Sequence, residues 1–121
     1  MATTSVGFRI LTALLALTFV LTGGSKLASV APSPENFARW GFSMTFMYAI
    51  GAIEVVGGLA LLVPRLTPFA ALLLAGTMLG AVRTGVIFHE ALHIALPLVL
   101  LGLLGVVIYQ RRATVLGLFG R

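Results

Sequence analysis

The sequence of 121 residues has no cysteine and very little charge. The absence of cysteine excludes disulfides, thiolate metal sites, iron–sulfur clusters and thiol redox chemistry carried by this chain alone. Charged residues make up 9% of the chain and hydrophobic residues 60%, whereas roughly 25% of an ordinary soluble domain is charged. An ordinary soluble domain is therefore excluded. We expect residues 1–121 to form a single integral membrane domain whose main partner is the lipid bilayer.

Four apolar runs are long enough to cross a bilayer, since one crossing needs roughly 20 helical residues. They predict helices over about residues 6–25, 43–63, 68–88 and 91–109. The predicted fold class is all-α, an antiparallel four-helix transmembrane bundle, with the polar segment 31–39 as a loop. The first run, with Arg9 ahead of its apolar core and the small residues 28–31 behind it, also resembles a secretory signal peptide. Pro32, just after that cleavage point, favours the membrane helix.

The net charge of +5 comes from eight Lys and Arg residues against three Glu. These basic residues lie near predicted helix ends and form no patch interleaved with aromatics, so we expect no nucleic-acid binding. Four crossings put both termini on one side, where the basic residues are more numerous. That side carries Arg9, Arg65, Arg111, Arg112 and Arg121, against Lys26 and Arg39 on the other. The positive-inside rule then predicts cytoplasmic termini, and we expect a bacterial inner (cell) membrane.

Among the ionisable residues of the predicted membrane spans, Glu54 and Arg83 stand out by their depth. A charge at the centre of a membrane helix costs about 2.5–3.5 kcal/mol on insertion scales, so each needs a partner or a function. Their depths and helical faces predict that they meet inside the bundle, either as a structural pair or as a ligand-contacting site. Glycines share those faces and predict close helix packing. They are Gly51 and Gly58 beside Glu54, and Gly76 and Gly80 beside Arg83.

Nearly half of the ionisable residues gather in the predicted outer half of the bundle. This intramembrane polar cluster consists of Lys26, Glu54, Arg83, His89, Glu90 and His93. His89-Glu90-Ala91-Leu92-His93 is a literal H-E-x-x-H, which on a helix binds zinc through two histidines while the Glu activates water. Here the motif falls at the junction of two predicted helices, where a turn separates the histidines. We therefore assign no metal site, and interfacial histidines are the favoured interpretation.

Two spaced motifs carry a resemblance to a known family. The first helix ends in Phe19-x-x-x-Gly23-x-x-Lys26-Leu27, and the second contains Gly51-x-x-Glu54-x-x-Gly57-Gly58-Leu59. A Pro/Arg turn and an Ala-rich third helix follow. This pattern resembles the DoxX-like family of small four-helix integral membrane proteins over about residues 6–110. The resemblance implies a compact bundle in which Lys26 and Glu54 are the transferable polar positions.

The family resemblance also implies a function. DoxX-like proteins are associated with membrane redox systems, so we expect an accessory subunit of a quinone-linked assembly, not catalytic on its own, with other membrane subunits as partners. A polar pocket in the outer half would bind a quinone or a lipid. The alternatives are a chaperone or assembly factor for membrane proteins and, less favoured, a metal-dependent membrane enzyme using His89, Glu90 and His93.

Overall fold

The computed structural model describes residues 5–113 and Gly117, and within them the secondary structure is helical. Arg121, one of the arginines expected on the cytoplasmic side, lies outside the described residues. The helices are α1 (Val6–Leu27), α2 (Ser33–Arg39), α3 (Met44–Ala60), α4 (Thr67–Ile87) and α5 (Leu92–Gln110). The segment expected to be a loop therefore contains the short helix α2. It has a proline in its first turn, which a helix start tolerates because the first backbone N–H groups need no helical partner.

Three of these helices, α1, α4 and α5, are long and apolar enough to cross a membrane by length and composition. The helix expected over 43–63 is shorter than predicted, because α3 has 17 residues and ends at Ala60. Leu62 and Val63 continue the chain in tighter turns, each donating its N–H to the carbonyl three residues earlier. Pro64 follows; it has no N–H to donate to the carbonyl of Ala60, four residues earlier, and its ring would clash with that carbonyl, so a regular helix does not continue through it.

Helices α1 and α3 make backbone contact through two glycines. A Cβ atom on Gly51 would lie 2.8 Å from the carbonyl oxygen of Gly23, and one on Gly23 would lie 2.6 Å from that of Gly51. Two turns further along α3, Gly58 faces the carbonyl oxygen of Ala16, which lies two turns earlier on α1. The two helices therefore run antiparallel. Their register requires glycine at positions 23 and 51, because a larger residue would clash with the facing helix.

Helices α4 and α5 form a second close pair at the turn that joins them. A Cβ atom on Gly85 would lie 2.5 Å from the carbonyl oxygen of His93. That carbonyl would ordinarily accept a hydrogen bond from residue 97, but Pro97 has no N–H to donate. The absence of a side chain at Gly85 thus lets α4 lie against the stretch of α5 that Pro97 leaves without a helical hydrogen bond.

One hydrophobic core joins the two helix pairs. Gly57 on α3 faces Leu74 on α4, whose side chain is fully buried. The core cluster draws on α1, α4 and α5 and on the residue that follows α3; its buried members are Leu15, Ala16, Phe19, Leu61, Ala70, Ala71, Leu74, Met78, Leu104 and Val107. Phe19 and Met78 border the part of the molecule nearest α2, which we call the α2 end. The pairs are therefore packed together away from the α2 end.

Gly76 and Gly80 do not lie at a helix contact, contrary to the expectation from their spacing. A Cβ atom on either residue would meet no other atom within 4 Å. Both glycines border open space between α4 and the rest of the molecule. Small residues at this spacing bring helices together only where a partner helix lies opposite them. Opposite Gly76 and Gly80 there is a cavity instead.

Candidate functional site

A cavity of about 530 Å³ lies between the α1–α3 pair and the α4–α5 pair at the α2 end. We call it the interpair cavity. Every helix contributes to its wall, and α2 with the following residues Trp40 and Phe42 covers one side. Apolar lining side chains include Phe19, Phe37, Phe46, Ile50, Met78 and Leu100, and polar ones include Thr22, Lys26, Asn36, Glu54, Arg83 and His93. Such a volume and mixture suit a small-molecule site.

Lys26 and Glu54 form a salt bridge in the cavity wall, with 2.8 Å between Lys26 Nζ and Glu54 Oε1. The Glu54 side chain is only 4% exposed and that of Lys26 16%. The Thr22 hydroxyl donates a longer hydrogen bond of 3.4 Å to the same carboxylate oxygen. In this antiparallel pair Glu54 lies opposite Gly23 and Lys26 lies opposite Gly51, so the close approach of the two backbones lets the long lysine side chain reach the carboxylate.

The pairing of Glu54 with Arg83 expected from the sequence does not form. Within residues 5–113 the charged partner of Glu54 is Lys26, and no salt bridge involves Arg83. A helical wheel gives the face on which each side chain lies but not which helix stands opposite. Since α3 packs directly against α1, the acid meets the lysine of α1, while Arg83 borders the cavity from α4.

Glu90, in the turn between α4 and α5, fastens α2 to the rest of the molecule. Arg39 donates two hydrogen bonds to its carboxylate, from Nε at 3.0 Å and from a terminal nitrogen at 2.8 Å. The Trp40 indole N–H donates to Glu90 Oε2 at 3.2 Å, and His93 Nδ1 lies 3.0 Å from Oε1. The Trp40 ring meets the His93 ring edge-on, with 5.0 Å between centroids. This carboxylate therefore connects α2 to α5 beside the cavity.

The Arg39 guanidinium sets the ionisation of Glu90. Its hydrogen bonds are the largest of the effects that together lower the pKa of the Glu90 carboxyl from 4.5 to about 2, against a smaller opposing effect of desolvation. The hydrogen bond from Trp40 contributes to the same lowering. The same contact raises the pKa of Arg39 above its ordinary value. Both groups are thus charged at neutral pH, and their contact is an ion pair.

The H-E-x-x-H run does not adopt the helical arrangement that a zinc protease needs. His89 is an exposed residue of the α4–α5 turn with a φ of 56°, whereas His93 lies in the first turn of α5. The Glu between them is held by Arg39 and Trp40. Within the described ranges, no group of three or more His, Cys, Asp or Glu side chains is placed to hold a metal ion. The motif therefore forms a turn that holds α2.

Comparison with known proteins identifies the family. The signature of the DoxX-like family matches residues 10–107, about four fifths of the chain. The chain belongs to the DoxX-like family. No curated protein and no solved structure matches it significantly. The matched region of this DoxX-like protein contains Lys26, Glu54, Arg83 and the Glu90 turn, and thus the whole interpair cavity. Among its described residues the protein has three helices long and apolar enough to cross a membrane, and it is an integral membrane protein.

Sequence reasoning missed two features of this DoxX-like site. Arg39 and Trp40 hold Glu90, yet in the sequence Arg39 bears only on the predicted topology. No spacing rule connects residues so far apart in the chain. Gly23 and Gly51 hold the backbones of α1 and α3 together beside the Lys26–Glu54 pair, and here a signal existed: Gly-x-x-Lys and Gly-x-x-Glu share one spacing, which in an antiparallel helix pair places each charge opposite the glycine of the other helix.

Proposed function

We propose that this DoxX-like protein is an accessory subunit of a quinone-linked redox assembly in the bacterial inner membrane, and that the interpair cavity binds the quinone. In this proposal the chain crosses the bilayer four times as an antiparallel bundle with cytoplasmic termini. Helix α3 serves as the fourth span, because the apolar chain continues from Ala60 to Val63 and about 17 residues can suffice for one crossing.

The observation that carries the proposal is the cavity itself. Its volume of about 530 Å³ lies within the range of roughly 300–1,000 Å³ common for small-molecule sites. Aromatic side chains from α2 and α3 offer flat apolar surfaces to a quinone ring. Polar side chains in the same wall offer hydrogen-bond donors to its carbonyl oxygens. A membrane-soluble ligand with an apolar ring and two acceptor oxygens matches this combination.

The accessory role follows from the side chains present. Reducing a quinone to a quinol takes two electrons and two protons, and with no cysteine the chain has no thiol couple to supply the electrons. A partner subunit would supply or accept them, while this chain holds the quinone in place. The buried Lys26–Glu54 pair keeps α1 and α3 in register, so that the wall of the site stays rigid.

The proposal is tested by purifying the protein in a mild detergent and extracting bound small molecules for mass spectrometry. We expect a quinone at near-stoichiometric amount and a fixed partner after crosslinking. Gly80→Leu is expected to lose the quinone, because the new side chain fills open cavity space without a backbone clash. Gly102→Leu is the matched control, since it adds the same side chain in open space away from the cavity.

Three outcomes would contradict the proposal. Absence of any quinone from the unaltered protein, or equal quinone content in the Gly80→Leu and Gly102→Leu variants, would show that the cavity is not a quinone site. Crosslinking to many transient membrane proteins instead of one fixed partner would support an assembly factor in place of an accessory subunit.

A further inference from the structure

The charges that face the interpair cavity do not cancel. Lys26 and Glu54 neutralise each other at 2.8 Å, and next to the cavity Arg39 is neutralised by Glu90. The remaining charged lining residue is Arg83, which has no hydrogen-bonding or ionic partner within the described part of the chain. The cavity therefore carries one uncompensated positive charge.

Most other polar side chains of the cavity wall already use their donors within the protein. The hydroxyls of Thr77 and Thr84 donate to carbonyl oxygens one turn earlier on α4, at 3.1 and 3.0 Å. The Trp40 N–H donates to Glu90. A guanidinium has five N–H donors and no acceptor, so Arg83 is the strongest donor group left for a ligand.

The position of Arg83 gives the ligand a polar and an apolar end. Arg83 lies in the last part of α4, one helical turn before Ile87, while Phe19 and Met78 border the cavity where it meets the hydrophobic core. A guanidinium at the side of a largely apolar cavity suits an amphiphile whose oxygen-bearing head lies near Arg83. An arginine inside a membrane span is itself a functional-site hypothesis, because its insertion is costly.

We infer that Arg83 binds an oxygen of the ligand head and that the interpair cavity prefers an oxygen with a full negative charge to a neutral one. This inference rests on the proposed function in taking the cavity as the quinone site, and it adds the residue and the charge that select the ligand. Hydrogen bonds to charged groups contribute about 1.5–3 kcal/mol, which corresponds to a preference of about 10-fold or more.

Two naphthoquinones of nearly equal size test the inference. Menadione carries a methyl group and is neutral, whereas lawsone carries a hydroxyl that is ionised at neutral pH. The chain has a single tryptophan, Trp40, and it lines the cavity, so that quinone binding is read as quenching of its fluorescence. The protein is reconstituted in nanodiscs of zwitterionic lipid, and Trp40→Phe shows how much of the signal comes from this residue.

We expect lawsone to bind with a dissociation constant about 10-fold or more below that of menadione. Arg83→Gln is expected to abolish this preference while menadione still binds, and Arg83→Lys, which keeps the charge, to retain most of it. Arg65→Gln removes a positive charge from the α3–α4 turn, outside the cavity, and should leave the preference intact.

Equal affinities for the two probes, or a preference that survives Arg83→Gln, would overturn the inference and would indicate that Arg83 extends toward the membrane surface. Both results leave the cavity as a quinone site. If neither probe quenches Trp40 in a saturable manner, the proposed function fails as well. A loss of preference in Arg65→Gln equal to that in Arg83→Gln would assign the effect to general electrostatic attraction and would also overturn the inference.

Discussion

Breaking the Lys26–Glu54 pair from either side should cost more stability than removing both charges together. Lys26→Met leaves the Glu54 carboxylate, whose side chain is 4% exposed, with the Thr22 hydroxyl at 3.4 Å as its remaining described partner. Removing one member of a buried pair costs about 3–5 kcal/mol, because the other charge stays without compensation.

The opposite variant should be milder. Glu54→Leu leaves Lys26 in the last turn of α1, where its side chain is already 16% exposed and its flexible stem can reach water. Changing both residues together, to Met and Leu, replaces the pair by apolar side chains, a change that is often neutral or stabilising. The three variants therefore predict a coupling free energy of at least about 2 kcal/mol.

The coupling is measured by unfolding the protein from mixed micelles with increasing SDS, with Trp40 as the single fluorescent reporter. Arg65→Met serves as the control for removing one surface charge, and we expect a change within about 0.5 kcal/mol. If the losses of unfolding free energy in the two single variants sum to the loss in the double variant within about 0.5 kcal/mol, the two side chains do not interact and the predicted coupling is refuted.

Two further predictions concern the helix contact and the attachment of α2. Gly51→Ala should lower the free energy of unfolding by about 1–3 kcal/mol, because the new Cβ meets the Gly23 carbonyl oxygen. Gly105→Ala is the control and should not destabilise the protein, because its Cβ enters open space. Equal stabilities of the two variants in thermal unfolding would argue against the contact. Because the Glu90 pKa is lowered, its stabilising contact is complete above about pH 4.5 and lost as the pH falls toward about 2. Trp40 emission should shift in that range, and Glu90→Gln should already show the acid spectrum at neutral pH; an unshifted neutral spectrum would contradict the attachment.

Helix positions were largely predictable because apolar runs and prolines act locally. The predicted spans 6–25, 68–88 and 91–109 lie within two residues of α1, α4 and α5 at each end. The predicted span 43–63 extends beyond the end of α3 at Ala60, because Leu61, Leu62 and Val63 are as apolar as the helix before them. Hydropathy does not detect the switch to turns of three residues that precedes Pro64.

The partners of the charged side chains were less predictable. Lys26 and Glu54 were both recognised as site residues, but the sequence paired Glu54 with Arg83, because depth and helical face are compatible with either cation. The choice is made by packing: glycine contacts place α1 against α3, while the space beside Gly76 and Gly80 stays open. The role of α2 was hidden for a similar reason, since a helix of two turns has too little periodicity to be detected.

The central claim, that the interpair cavity binds a quinone, is tested most directly by mapping a photoreactive quinone on the protein in its native membrane. We expect labels on cavity residues such as Met78, Phe46 and Leu100, with labelling suppressed by excess unlabelled quinone. Labels spread over exposed apolar residues of α1 such as Leu14 and Leu17, and insensitive to competition, would contradict it.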